Sequence, residues 1–381
     1  MNKLDRSNQK ASESINDQVF MTSSNNELIL FSDFSSWISK LLEDIEQAVS
    51  EILMEMYIIE PFDEGVDVAR ALARAAKRGV RTRLIYDSLG CMNVPGDFFA
   101  ELADAGVMVR EFNPIRLWYR MYAHAMPFHK RNHRKLVVID STIGHIGGMN
   151  ISGRFRDWLD VTLRVKGKIA ESLRASHQAV WERRHRKFIY PIWKRTWPDR
   201  EIQVFDYFPS ENFSPVKKYY MNAIHKASSR FVLAHAYFFP DKRLRHALRK
   251  AAKRGVAVEV IVPERSDIAA VDYASRHRFG KMLRDGIRIY QHHGPMLHIK
   301  AAISDDNLAT IGSANLDPVS FFRCLEINVG IKHKPLVSRL SELIEEYKRA
   351  SKEITFEEWV NRGWRSKLID WFWYLIRKWF F

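Results

Sequence analysis

ALARAAKRGV, residues 71–80, returns as ALRKAAKRGV at residues 247–256, identical at eight of ten positions at an offset of 176. Self-similarity at a fixed spacing marks a duplicated architecture. Around each copy the order of patterns is the same. An apolar run leads in, LMEMYIIEPF from Leu53 and FVLAHAYFFP from Phe231, and an apolar strand follows, TRLIYD or VEVIVP. Gly79 and Gly255 sit where a helix ends on a positive φ, and β-branched residues come next. A further helix and strand succeed them in FFAELADAGVMVREF and FGKMLRDGIRIYQH, divided at Gly106 and Gly286. Strand and helix alternating in this way predict an α/β fold of two similar halves, each a mixed sheet flanked by helices.

The chain of 381 residues is long enough for two cores. Apolar residues at 46% and charged ones at 28% place it among folded globular proteins, so disorder is expected only at the polar opening, residues 1–26. The halves are expected at 27–168 and 204–350. Between them, residues 169–203 read as a connector that crowds basic residues among aromatics, as PIRLWYRMYAH at 114–124 also does. Both stretches fit either a solvated loop or an entrance for phosphate headgroups. Cys91 and Cys324 stand far apart and form no CxxC pair, which excludes a disulfide framework or a cysteine zinc site. The 60 Lys and Arg against 45 Asp and Glu leave a charge of +15, which attracts polyanions: nucleic acid or anionic lipid. The opening lacks the apolar core of a secretory signal and no charge-free apolar run of about 18 residues occurs, so any membrane contact is expected to be peripheral.

The chemistry is also written twice. NHRKLVVIDSTIGHIGGMN, residues 132–150, matches LHIKAAISDDNLATIGSAN, residues 297–315: His133, Lys135, Asp140, Gly147 and Asn150 correspond to His298, Lys300, Asp305, Gly312 and Asn315 at one offset of 165. A strand alternates faces, so His133 and Lys135 would address one ligand together. The following strand would return Asn150 beside the histidine, with glycine letting a ligand oxygen approach the backbone. An imidazole, a cation and an amide suit a tetrahedral oxyanion such as a phosphodiester. Two sets divide the labour: a neutral imidazole attacks phosphorus, and a protonated one releases the leaving alkoxide. Lys135, Lys300, Asn150 and Asn315 would hold the nonbridging oxygens. Asp160 and Glu326, 27 and 28 residues beyond the histidines, are candidates to orient them, while Asp140 and Asp305 are expected to stabilise turns and lysine positions. Cations around His129 and His133 oppose a metal there, and no cofactor is expected.

HxK followed by Asp, then GGMN or GSAN, resembles the HKD signature of the phospholipase D superfamily. The duplicated form implies one chain whose two halves share a single active site about a pseudo-twofold, a phosphohistidine intermediate and no metal. It further implies His133 as nucleophile and His298 as acid, with the internal symmetry leaving that order open. From about Leu28 to Lys348 the chain resembles the short bacterial cardiolipin synthases, in AKRGVRTRLIYD, HRKLVVID, IGGMNIS and WLDVTLRVKG. Two departures between the halves stand out. Gly148 faces Ser313, so a hydroxyl contact to phosphate is expected in one half only, and Asp160 faces Glu326.

The end of the chain, SKLIDWFWYLIRKWFF at 366–381, reads as an amphipathic helix for a membrane interface, within a segment 351–381. Lys367, Asp370, Tyr374, Arg377 and Lys378 form its polar stripe, and Trp371, Phe372, Leu375, Ile376, Trp379 and Phe380 its apolar side. Together these features predict a phosphatidyltransferase of the cardiolipin synthase type at the cytoplasmic face of a bacterial membrane. Its substrates would be a phospholipid donor and a phospholipid acceptor, phosphatidylglycerol for the acceptor. The rival is a phospholipase D or nuclease-type phosphodiesterase, with nucleic acid disfavoured by the aromatic tail.

Overall fold

The computed structural model describes residues 18–115, 130–182, 200–207 and 214–377. Most of the opening segment, residues 116–124 of the first basic-aromatic stretch, residues 183–199 of the connector, and Trp379 and Phe380 lie outside the described residues.

Nine strands come from the first part of the chain: β1 (Val19–Met21), β2 (Glu27–Phe31), β3 (Glu51–Met56), β4 (Arg81–Asp87), β5 (Met108–Phe112), β6 (Arg131–Asn132), β7 (Leu136–Ile139), β8 (Ile143–Gly147) and β9 (Thr162–Lys166). Eight come from the second: β10 (Ile202–Tyr207), β11 (Arg230–His235), β12 (Ala257–Pro263), β13 (Arg288–His292), β14 (Lys300–Ser304), β15 (Leu308–Gly312), β16 (Cys324–Ile331) and β17 (Ser351–Ile354). The first sheet runs β1-β2-β9-β8-β7-β3-β4-β5 and the second β10-β16-β15-β14-β11-β12-β13-β17. In each, a parallel trio (β3, β4, β5 or β11, β12, β13) joins an antiparallel remainder. The mixed sheets and duplicated order are those the repeat predicts.

The repeated helices lie at Glu64–Lys77 and Lys242–Lys253. Asp241 caps the second by accepting from the Leu244 N–H at 2.9 Å. Gly79 and Gly255 both take φ of +90°, with open space where a Cβ would stand, so glycine serves the backbone there rather than a tight contact. Strands β3 and β7 are buried along their whole length because both faces are covered, which is why they read as unbroken apolar runs.

Each sheet turns one face to its own outer helices, making two separate cores. The inner faces meet in a third core to which both sheets contribute, with Leu136 and Leu163 from one and Ala301 and Ile327 from the other. Two helices fill this central layer, Ile169–Glu182 through Ile169 and Leu173, and Lys334–Arg349 through Leu336, Leu340 and Leu343. They begin 165 residues apart and are counterparts. This corrects the expected boundary at residue 168: residues 169–182 are not connector but the helix that covers the first sheet, and Ile169, Ala170, Leu173 and Val180 are buried on it. The opening segment is corrected as well, since β1 pairs with β2 in register Phe20↔Leu28 and Asn26 is buried.

The C-terminal helix, Trp364–Ile376, packs on the helix Ala269–Arg284. Asp370 of its polar stripe faces the protein and Tyr374 is half-buried, whereas Lys367 is exposed. Asp370 is buried between Arg362, 2.7 Å away, and Arg276, 3.6 Å away, and Tyr374 stacks on His277. A charged group with two cationic partners can be buried where an unpaired one cannot. Trp364, Leu368, Ile369, Trp371, Phe372 and Leu375 are left exposed, while Ile376 is half-buried.

Candidate active site

The histidine-bearing segments are exchanged between the halves. β6 lies parallel to β16, with Asn132 beside Leu325, and the His133 N–H donates to the Leu325 carbonyl at 3.0 Å. On the other side Leu297 bridges Leu159 in parallel, and the His298 N–H donates to the Leu159 carbonyl at 2.8 Å. Each HxK therefore precedes or just enters its strand rather than riding on it, because β7 starts at Leu136 and β14 at Lys300. The short lead-in is free to pair with the opposite half.

That exchange decides which acid serves which imidazole. His133 Nδ1 is 3.0 and 3.1 Å from the Glu326 carboxylate oxygens, and His298 Nδ1 is 2.5 Å from Asp160 Oδ2. The pairing is crosswise, not within a half as the matched spacing suggested. Held at Nδ1, each ring leaves Nε2 for chemistry. Lys135 Nζ donates to the His133 carbonyl at 2.9 Å; Lys300 Nζ donates to Asp160 Oδ2 at 3.3 Å and lies 3.1 Å from His298 Nε2. Both lysines are buried.

The two sets share one electrostatic environment. Burial lowers the His133 imidazole despite Glu326, with Lys135 and Lys300 adding to the shift. Burial and Lys300 push His298 down to about 4, and Lys135 acts on it too. Burial, then the neighbouring Lys300, bring the Lys135 ammonium down to about 7. Burial works to raise both carboxyls, yet Lys300 and His298 hold Asp160 below its ordinary value, and His133 and Lys135 do the same for Glu326. At neutral pH both imidazoles are neutral and both carboxylates ionised.

The glycines and Ser313 act inside the protein. A Cβ on Gly148 would stand 2.2 Å from Asp160 Oδ1, so glycine makes room for the carboxylate that holds His298, not for a ligand oxygen. At Gly147 and Gly312 a Cβ would meet the Val161 and Ile327 carbonyls at 2.3 and 2.4 Å. The Ser313 hydroxyl donates to Glu326 and is spent there, which corrects its expected contact to phosphate. Asp140 accepts from the Val49, Ser50 and Glu51 N–H groups at 2.7 to 3.0 Å, and Asp305 from those of Ser228, Ser229 and Arg230 at 2.8 to 2.9 Å. Both tie the hairpin turn to the start of the neighbouring strand, and neither bonds a lysine. Asn150 and Asn315 are buried with Oδ1 unpartnered among the described residues.

Three aromatics that no motif singles out line the imidazoles. Tyr57 stands edge-on to His133 at 4.8 Å, Tyr237 edge-on to His298 at 6.4 Å, and Trp158 tilts against His298 at 4.8 Å. The two tyrosines do not align in the repeat, since matching the runs from Leu53 and Phe231 sets Tyr57 over His235, so no signal in the sequence pairs them. Asp317 also went unnoticed: it caps the helix Pro318–Phe322, and burial pushes its carboxyl up to about 7.

Two like halves closing on paired histidine and lysine side chains form the site arrangement of the phospholipase D superfamily. A family described as "Cardiolipin synthase, PLD-like domain" matches residues 41–181 and 220–348. Among named relatives, the cardiolipin synthase of Geobacillus sp. is 31% identical over 87% of this chain and 68% of its own length. Cardiolipin synthase A of Erwinia tasmaniensis is 31% identical over 91% and 74%, and the major cardiolipin synthase of Bacillus subtilis 28% over 93% and 77%. A phosphatidylserine synthase from Haemophilus influenzae superposes with a TM-score of 0.70 over 99% of this chain and 98% of its own, at 13% identity, a likeness of fold. The chain belongs to the cardiolipin synthase, PLD-like domain family, and is a transferase-type enzyme of the phospholipase D superfamily.

Proposed function

We propose that the protein transfers a phosphatidyl group from one phospholipid to a hydroxyl of a second, phosphatidylglycerol, a reading supported by its likeness to relatives named cardiolipin synthase. The observation that carries the reading is the crosswise hold on two imidazoles, His133 by Glu326 and His298 by Asp160. In the first step His133 Nε2 attacks phosphorus, the bond to the leaving alcohol breaks, and His298 gives that alcohol a proton. In the second, the acceptor hydroxyl gives its proton back to His298 as its oxygen displaces His133. Lys135, Lys300, Asn150 and Asn315 take the nonbridging oxygens, where charge grows in the transition state. Both imidazoles are neutral in the free site, so His298 gains its proton as the phosphodiester anion enters.

Attachment to the bilayer is assigned to the helix Trp364–Ile376, whose exposed side carries Trp364, Leu368, Ile369, Trp371, Phe372 and Leu375. Among the described residues no helix is long and apolar enough to cross a membrane. Purified protein on phosphatidylglycerol vesicles should yield cardiolipin and free glycerol, read by mass spectrometry. Unchanged lipid beside cleaved single-stranded DNA would replace this reading with the nuclease one.

A further inference from the structure

The two halves differ in what surrounds their tyrosines. The Tyr237 hydroxyl donates to the carboxylate of Asp267, an exposed residue in the loop that follows β12. This loop has a fixed shape: the Ser266 N–H and hydroxyl both bond Asp272 at 2.7 Å, and the Ile268 N–H returns to Ser266 Oγ at 3.2 Å. Lys300, shifted mainly by burial, feels the Asp267 charge as well. Asp267 thus stands on the His298 side of the site. In the first half Tyr57 faces His133 in the same way, but the loop after β4, SLGCMNVPG at 88–96, contains no acid.

A carboxylate beside a phosphate-binding centre repels the phosphodiester and accepts hydrogen bonds from uncharged hydroxyls. A group of that kind selects an alcohol. We propose that Asp267, positioned by Tyr237, selects the acceptor: it binds a second hydroxyl of a polyol acceptor, next to the one that reacts. The inference rests on the phosphatidyl-transfer reading and names the determinant within it. The bond from phosphorus to His133 breaks, the bond from phosphorus to the acceptor oxygen forms, and the acceptor proton passes to His298. Meanwhile the neighbouring hydroxyl donates to Asp267 and fixes the direction of attack. Water and monohydric alcohols lack that second hydroxyl.

The test is a competition on phosphatidylglycerol vesicles containing 1-propanol, with cardiolipin and phosphatidylpropanol quantified together. Asp267→Asn should lower the cardiolipin to phosphatidylpropanol ratio about 10-fold, the loss of one charge-assisted hydrogen bond. Tyr237→Phe, which leaves the carboxylate in place but unheld, should move the ratio the same way by less. A ratio unchanged in Asp267→Asn, whether both products persist or fall in proportion, overturns the proposal. Failure of the unaltered protein to make either product would instead overturn the phosphatidyl-transfer reading.

Discussion

Gly148 shows how narrowly single residues set the site. A methyl there would stand 2.2 Å from Asp160 Oδ1, and Asp160 is what orients His298. Gly148→Ala should therefore cost on the order of 100-fold in kcat by turning one imidazole, with the circular dichroism of the fold retained. The crosswise pairing makes a sharper claim: Glu326→Gln should shift the Nδ1 resonance of His133 and Asp160→Asn that of His298 in nitrogen NMR. The reverse assignment would refute the exchange. The pH profile follows from the same groups. His133 lies below its ordinary value and must be neutral to attack, so the acid limb of kcat/KM should set in at lower pH than a free imidazole would give. Lys135, at about 7, loses its charge as pH rises, so phosphate binding and kcat/KM should decline on the alkaline side. A rate flat from pH 7 to 10 with a soluble phosphodiester would show that this ammonium stays charged.

At the scale of elements, the helix Trp364–Ile376 docks through Asp370, which meets two arginines, and leaves Trp364, Leu368, Ile369, Trp371, Phe372 and Leu375 outward. Replacing Trp371, Phe372 and Leu375 together by serine should weaken sedimentation with anionic vesicles while leaving turnover of a soluble substrate largely intact. Asp370→Asn should act differently. It leaves Arg276 and Arg362 short of a counter-charge, so amide exchange over 364–376 should quicken while that of β11 stays slow.

For the molecule as a whole, each active half depends on its twin: His133 has its acid in the second half and His298 in the first. Stability carries the mark of that burial. The unfolded chain protonates His298 near 6.5, whereas burial keeps the folded side chain neutral down to about 4. The unfolded state thus binds the proton first, and stability should fall as pH drops from 6.5 toward 4. Thermal melts of His298→Gln should show a shallower decline across that window, and parallel slopes would exclude the residue as a source.

The duplication, the α/β alternation and the paired HxK motifs were legible because they are local: periodicity, helix-ending glycines and a common offset need no knowledge of distant contacts. The paired histidines, lysines and asparagines, with Asp160 and Glu326, were singled out on that basis; Asp317 was not. Nor were Tyr57 and Tyr237, since an aromatic in an apolar run reads as core until a neighbour is known, and Trp158 carries no motif of its own. Spacing along the chain likewise identified Asp160 and Glu326 but could not say which histidine each would meet. That was decided by β6 leaving its own sheet to pair with β16, a contact across nearly 200 residues of chain set by packing of the two inner sheet faces. Local pattern dictates which elements form; the burial of their shared faces dictates which side chains become partners.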